Sequence, residues 1–236
     1  MGLKDDIKTN VIDYLEGDYE VTEAKVIPSV EDVPFGKFAK KMKLCVFYID
    51  LRHSTDLLFL HQKQTAGKIQ KSFLYVVSTI VRHFGGQIRS FNGDSLLALW
   101  PAFLKSDISS CVHASMVIKY FLTHELLSAF QTYEKLDFGI GVDWGEVFIV
   151  RAGLPRDVNN NDLIFLGKCV NFAVAIGEQA RSPDHIEISA NTYSNLEDSA
   201  VYGTQNNQKV DMWRNGKVNW QGNKYNTKLT SWYWSI

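Results

Sequence analysis

Along the first sixteen residues, apolar side chains recur at every fourth position, at Leu3, Ile7, Val11 and Leu15. That spacing predicts an amphipathic helix over 3–16. A loop and a short strand follow, punctuated by Pro28, Pro34 and Gly36. Regular structure starts near Lys43. Val46, Phe47, Tyr48 and Ile49 form an unbroken run of strand formers that stops on Asp50. Ile69, Phe73, Val76, Val77, Ile80, Val81 and Phe84 then repeat at helical spacing, and Gly85-Gly86 closes that helix. QIRSF and SLLALWP flank Asn92-Gly93-Asp94, a tight-turn signal that predicts a hairpin. A second long helix falls within 107–131. Two strands follow in DFGIGVDWG and EVFIVRAG, then a polar loop over 154–162, a helix over 170–180 and a strand in HIEISA. The tail is aromatic and ends in SWYWSI. This order predicts an α+β fold, ferredoxin-like at its centre, with helices packed on an antiparallel-rich sheet. The expected division is an N-terminal extension over 1–42 and one domain over 43–236.

Composition narrows the function classes. The chain has 236 residues, 45% hydrophobic and 22% charged, enough apolar content for a sizeable core. A net charge of −1 gives no electrostatic reason to expect nucleic-acid binding. The lysines between 37 and 43 read as a solvated entry to a strand. No apolar stretch reaches transmembrane length, and residues 1–10 are too polar for a signal peptide. Cys45, Cys111 and Cys169 are odd in number and far apart, which predicts buried, reduced thiols in a cytoplasmic protein. Trp213, Trp220, Trp232 and Trp234 lack basic interleaving, so they read as packing on the domain or a partner rather than a stacking surface for bases.

Candidate chemistry begins at the two aspartates. Asp50 ends a buried strand, where an uncompensated carboxylate is costly. Asp94 sits in the hairpin turn. If the strand and hairpin are sheet neighbours, both carboxylates reach one rim, where they repel unless a cation lies between them. Hard divalent ions favour such oxygen ligands, and Mg²⁺ often combines one or two carboxylates with substrate phosphates. Arg52, His53, Ser54 and Thr55 lead into a helix whose first N–H groups face an anion, which makes them phosphate-binding candidates. Tyr48 shares the Asp50 face of the strand. Lys168, at a helix start, reads as a phosphate ligand or simply as a surface lysine.

Four stretches in order carry a resemblance: VFYIDLRHST, GGQIRSFNGDSLLALWP, GIGVDWGEV and FLGKCVNFA. Together, over about residues 43–190, the chain resembles the class III nucleotide cyclases. It is most similar to the compact bacterial pyrimidine cyclases of Pycsar antiphage signalling. The resemblance implies two divalent ions, Mn²⁺ or Mg²⁺, held by Asp50, Asp94 and the Leu51 carbonyl. It also implies in-line attack of the ribose 3′-oxygen on the α-phosphorus, with pyrophosphate leaving. Asn171 matches the asparagine that orients the ribose. By the same resemblance, the protein is a homodimer in which each site takes Asp50 and Asp94 from one chain and Asn171 from the other. A separate effector would read the cyclic nucleotide.

The sequence departs from the family in two places. Four residues after the asparagine the family has a transition-state arginine, whereas this chain has Ala175; Arg181, Arg151, Arg89 and Lys224 are candidate substitutes. At the base-selecting positions of purine cyclases stand Ser90 and Ile164, which match neither the adenine nor the guanine pattern. These residues favour a pyrimidine, and the resemblance places UTP ahead of CTP. The alternatives are a purine cyclase with altered base contacts and a catalytically inactive cyclase-like domain that binds a nucleotide or a partner.

Overall fold

A computed structural model describes residues 2–131, 136–155, 157 and 159–236. Its elements, in chain order, are α1 (Leu3–Leu15), β1 (Glu20–Glu23), β2 (Phe38–Leu51), α2 (Ser54–Leu60), α3 (Lys63–His83), β3 (Gln87–Asn92), β4 (Ser95–Pro101) and α4 (Lys105–Tyr120). A π-helical turn (Phe121–Glu125) leads to α5 (Leu127–Gln131), β5 (Phe138–Gly153), β6 (Asn161–Leu166), α6 (Lys168–Gln179) and β7 (Ile186–Ser189). Two short helices, α7 (Ala190–Ser194) and α8 (Asp198–Val201), precede β8 (Tyr202–Gln205), β9 (Gln208–Asp211), β10 (Arg214–Trp220) and β11 (Asn223–Thr230). The chain divides into two compact units, one made of 1–42 and 146–167, the other of 43–145 and 168–236.

In the smaller unit, β1 runs parallel to the start of β2, pairing Glu20 with Phe38 and Glu23 with Lys41. The end of β5 pairs antiparallel with β6, from Phe148 opposite Leu166 to Gly153 opposite Asn161. Tyr19 meets Phe148 edge-on at 5.4 Å, and the Arg151 guanidinium lies 4.5 Å from the Phe35 ring. The N-terminal helix forms as its spacing predicts, with no buried residue.

In the larger unit the strands run in the order β10-β11-β7-β5-β2-β4-β3. The pairings β10–β11, β11–β7, β2–β4 and β3–β4 are antiparallel, and β5–β7 is parallel. Strand alternation sorts the side chains. Phe47, Ile49, Leu96, Ala98, Phe138 and Ile140 point into a core closed by Phe73, Val77, Met116 and Val117 of α3 and α4. Tyr48, Asp50, Gly139 and Gly141 take the opposite face.

That opposite face is where α6 lies, and glycine permits its approach. A Cβ on Gly141 would stand 2.1 Å from the Ala173 carbonyl and 2.3 Å from the Gly177 nitrogen. A Cβ on Gly139 would stand 2.2 Å from the Gly177 carbonyl. The helix backbone therefore rests directly on β5. Phe172, Ala175 and Ile176 of α6 bury against Val218 of β10, flanked by Trp220 and Tyr225.

The α+β fold expected from the sequence is present, with differences in detail. DFGIGVDWG and EVFIVRAG are one 16-residue strand, β5, not two. Gly145 looks like a break, but it is a site of close approach, where a Cβ would come within 3.3 Å of Cys169. The polar loop ends at a further strand, β6, and the aromatic tail contains β10 and β11. The second long helix is interrupted by the π-helical turn. All three cysteines are free and buried. Trp213 donates to the Ala200 carbonyl at 2.9 Å and Trp234 stacks on His113 at 4.1 Å, so both pack on the domain. Among the described residues, no helix is long and apolar enough to cross a membrane.

Candidate active site

Asp50 emerges at the C-terminal end of β2, on the face covered by α6. Its register partner on β4 is Ser95, so the β3–β4 turn places the adjoining Asp94 beside it. Gly93, at φ +64°, makes that turn possible. Burial pushes the Asp50 carboxyl up to about 6, and the charges of Asp94 and Glu178 push the same way against Arg52. Two carboxylates brought to one rim, with the charge of Asp94 opposing ionisation of Asp50, make a donor set suited to a hard divalent cation. Among the described residues no group of three or more His, Cys, Asp or Glu side chains could hold a metal. The two aspartates would leave coordination positions for water and phosphate oxygens.

Arg52 is tied down inside its own chain. One guanidinium nitrogen pairs with Asp50 at 3.2 Å. The other donates to the Ala180 carbonyl at 2.8 Å and to the Gly177 carbonyl. Its backbone N–H donates to the Asp137 carbonyl at 2.8 Å. Arg52 thus links a candidate metal ligand to the C-terminal end of α6. No local pattern signals this link, because the carbonyl partners lie 125 and 128 residues away. Leu51 is buried. His53 adopts φ +56° before α2, with its ring 3.3 Å from the Asp56 carboxylate. Ser54 and Thr55 open α2.

Asn171 is exposed on α6. The 3.6-residue period places Lys168, Asn171, Ala175 and Glu178 along one side of the helix. Glu178 is the end of that row whose charge reaches Asp50 and Tyr48. Ala175 is 9% exposed within the Phe172, Ile176 and Val218 cluster.

The four substitute cations expected from the sequence lie on different stretches of the chain. Arg181 acts on the buried Glu187 carboxyl. Arg151 belongs to the smaller unit and donates to Asn161 at 3.1 Å. Lys224 neighbours Tyr225 on β11, so alternation turns it to the sheet face opposite the one that packs on α6. Arg89 sits on β3 at a register irregularity. Of the base-selecting candidates, Ser90 pairs with Leu97 on the exposed strand β3. Ile164, 45% exposed, lies on β6 of the smaller unit.

The fold is that of the class III nucleotide cyclases. The crystal structure of the adenylyl cyclase CyaB from P. aeruginosa superposes with a TM-score of 0.67, covering 81% of this chain and 95% of that one at 20% identity. At the level of sequence, a uridylate cyclase from Rhodovulum sp. (strain MB263) is 30% identical over 186 residues, 75% of each chain. Another from Burkholderia cepacia is 28% identical over 240 residues and the full length of both. The chain belongs to the uridylate cyclase family. No family model matches it.

Proposed function

We propose that this protein is a metal-dependent nucleotide cyclase that converts UTP, and less readily CTP, to the 3′,5′-cyclic monophosphate and pyrophosphate. The observation that carries the reading is the convergence of Asp50 and Asp94 at one rim beneath α6. Full-length similarity to proteins named uridylate cyclase supports the choice of base. Bound between these carboxylates, Mn²⁺ or Mg²⁺ would supply charge neutralisation for the triphosphate and acidify the ribose hydroxyl. The chain's own residues position the reactants. Asp50 and Asp94 fix the phosphate end, Arg52 holds Asp50 against α6, and Asn171 orients the ribose.

The protein works as a homodimer with shared sites. Asn171 lies two helical turns, about 10 Å, from the Glu178 end of α6 that faces Asp50. That separation supports Asn171 serving the partner's aspartates rather than its own. In this reading the enzyme acts in the cytoplasm, and a separate effector of antiphage defence reads its product.

The test is incubation of the purified protein with Mn²⁺ and each of ATP, GTP, CTP and UTP, with products identified by mass. Cyclic UMP as the main product is expected. A cyclic purine as the main product would replace the pyrimidine claim with the purine-cyclase reading. The buried Ala175 favours one further reading, a cyclase-like domain that binds nucleotide without turning it over. Nucleotide binding with no cyclic product at all would select it.

A further inference from the structure

Lys168 opens α6, one turn before Asn171 and two before Ala175. Its ammonium lies 5.2 Å from the Tyr225 ring and 5.8 Å from the Trp220 ring. Those rings are held in place. Phe172 packs on Trp220 at 5.0 Å and on Tyr225 at 5.2 Å, and the two rings meet at 5.6 Å. The β10–β11 hairpin that carries them is fastened to the helix by Gln179. That side chain donates to the Asn219 carbonyl at 2.9 Å and accepts from the Asn219 N–H at 3.1 Å. The same aromatic pair flanks the buried Ala175. A long cation at position 175 would have to displace rings that already steer a cation from two turns earlier.

Lys168 is exposed, and its charge reaches the buried Asp143 carboxyl. A ring face attracts an ammonium without neutralising it. The lysine is therefore partly ordered, and its exposed head is open to a further anion.

We propose that Lys168 contacts the triphosphate in the site served by Asn171 and supplies the positive charge that Ala175 does not. This rests on the cyclase reading. In that reaction the bond from the 3′-oxygen to the α-phosphorus forms as the bond to the bridging oxygen breaks. Pyrophosphate leaves with the electron pair, and the 3′-hydroxyl proton passes to solvent. Negative charge grows on the α-phosphate oxygens and the leaving group, where a fixed ammonium stabilises the transition state most.

The experiment compares wild type, Lys168→Ala and Lys168→Arg. It measures kcat and KM for UTP with Mn²⁺, binding of 3′-deoxy-UTP, binding of uridine, and melting temperature. Removing the ammonium should lower kcat about 100-fold, weaken 3′-deoxy-UTP and leave uridine binding and melting temperature unchanged. Arginine should restore most of the loss. A Lys168→Ala kcat within threefold of wild type would overturn the proposal, and so would an arginine variant as slow as the alanine one. If wild type cyclises no nucleotide, the cyclase reading fails by itself. Titration with inorganic tripolyphosphate then decides Lys168: weaker binding by the alanine variant supports the phosphate contact, and equal binding refutes it.

Discussion

At the scale of single residues, the candidate metal site rests on Asp50 and Asp94, brought to one rim by the pairing of β2 with β4. Asp50 after an apolar run and Asp94 after Asn-Gly are both readable, because the signal is local. Asp50→Ala and Asp94→Ala should each reduce cyclisation to background with the melting temperature held or slightly raised; wild-type-like turnover in either would remove it from the metal site. Asp143 is different, because only the tertiary structure shows its environment. It is 7% exposed and accepts from the Trp144 N–H at 2.8 Å and from the Ser189 hydroxyl. Burial pushes its carboxyl up to about 6. A folded pKa above the unfolded one means that the folded state holds the proton more tightly. The resulting stability is complete below about pH 4 and is lost as pH rises through about 6. Asp143→Asn keeps the accepting oxygen and removes the titration. Relative to wild type, its melting temperature should therefore gain between pH 4 and pH 8, by an amount equivalent to no more than about 3 kcal/mol. A wild-type-to-variant difference that stays constant across that range would refute this account.

At the scale of elements, β5 and α6 depend on each other through missing side chains. The Gly-x-Gly run of GIGV reads as a motif in sequence, but its reason lies in Gly177, a residue of another element. Periodicity located the strand and the helix; it could not show that their backbones touch, nor that Gly145 continues a strand instead of ending one. Gly141→Ala should be strongly destabilising, because its Cβ would meet backbone atoms at 2.1 and 2.3 Å that cannot rotate away. Gly177→Ala meets the Tyr48 ring at 2.6 Å and a backbone nitrogen at 3.0 Å, and the ring has some freedom to move. Overpacking of this kind costs about 1–3 kcal/mol or more. Thermal melts should rank wild type above Gly177→Ala and Gly177→Ala above Gly141→Ala. The reverse order of the two variants would mean that α6 does not seat on β5 as described. Because α6 also carries Lys168 and Asn171, Gly141→Ala should lose activity even where it remains folded.

At the scale of the whole molecule, the chain displays apolar residues that a lone copy leaves in water. Leu58, Phe59 and Leu60 of α2 are 55%, 83% and 67% exposed, directly after the loop that follows Asp50. The apolar stripe of α1 is exposed as well, with Leu3 at 77% and Leu15 at 80%. Apolar exposure on a helix face marks association surfaces. A two-fold dimer that pairs one chain's aspartates with the other's α6 contains two equivalent sites. Single-chain periodicity registers the stripe on α1 but carries no information on what covers it. Subunit exchange between two inactive proteins, Asp50→Ala and Asn171→Ala, tests the arrangement directly. In a heterodimer one composite site collects both defects, while the other collects neither. About half of the wild-type activity per dimer should return when verified heterodimers form, because one of two equivalent sites is whole. If each site lay within a single chain, every site in the mixture would carry one defect. Verified heterodimers that remain inactive would then reject the shared site. Adding Lys168→Ala to the chain that already carries Asn171→Ala should leave the recovered activity unchanged, since both residues then fall in the site that is already lost. Placing it in the Asp50→Ala chain should lower that activity about 100-fold, because that chain's α6 serves the intact site.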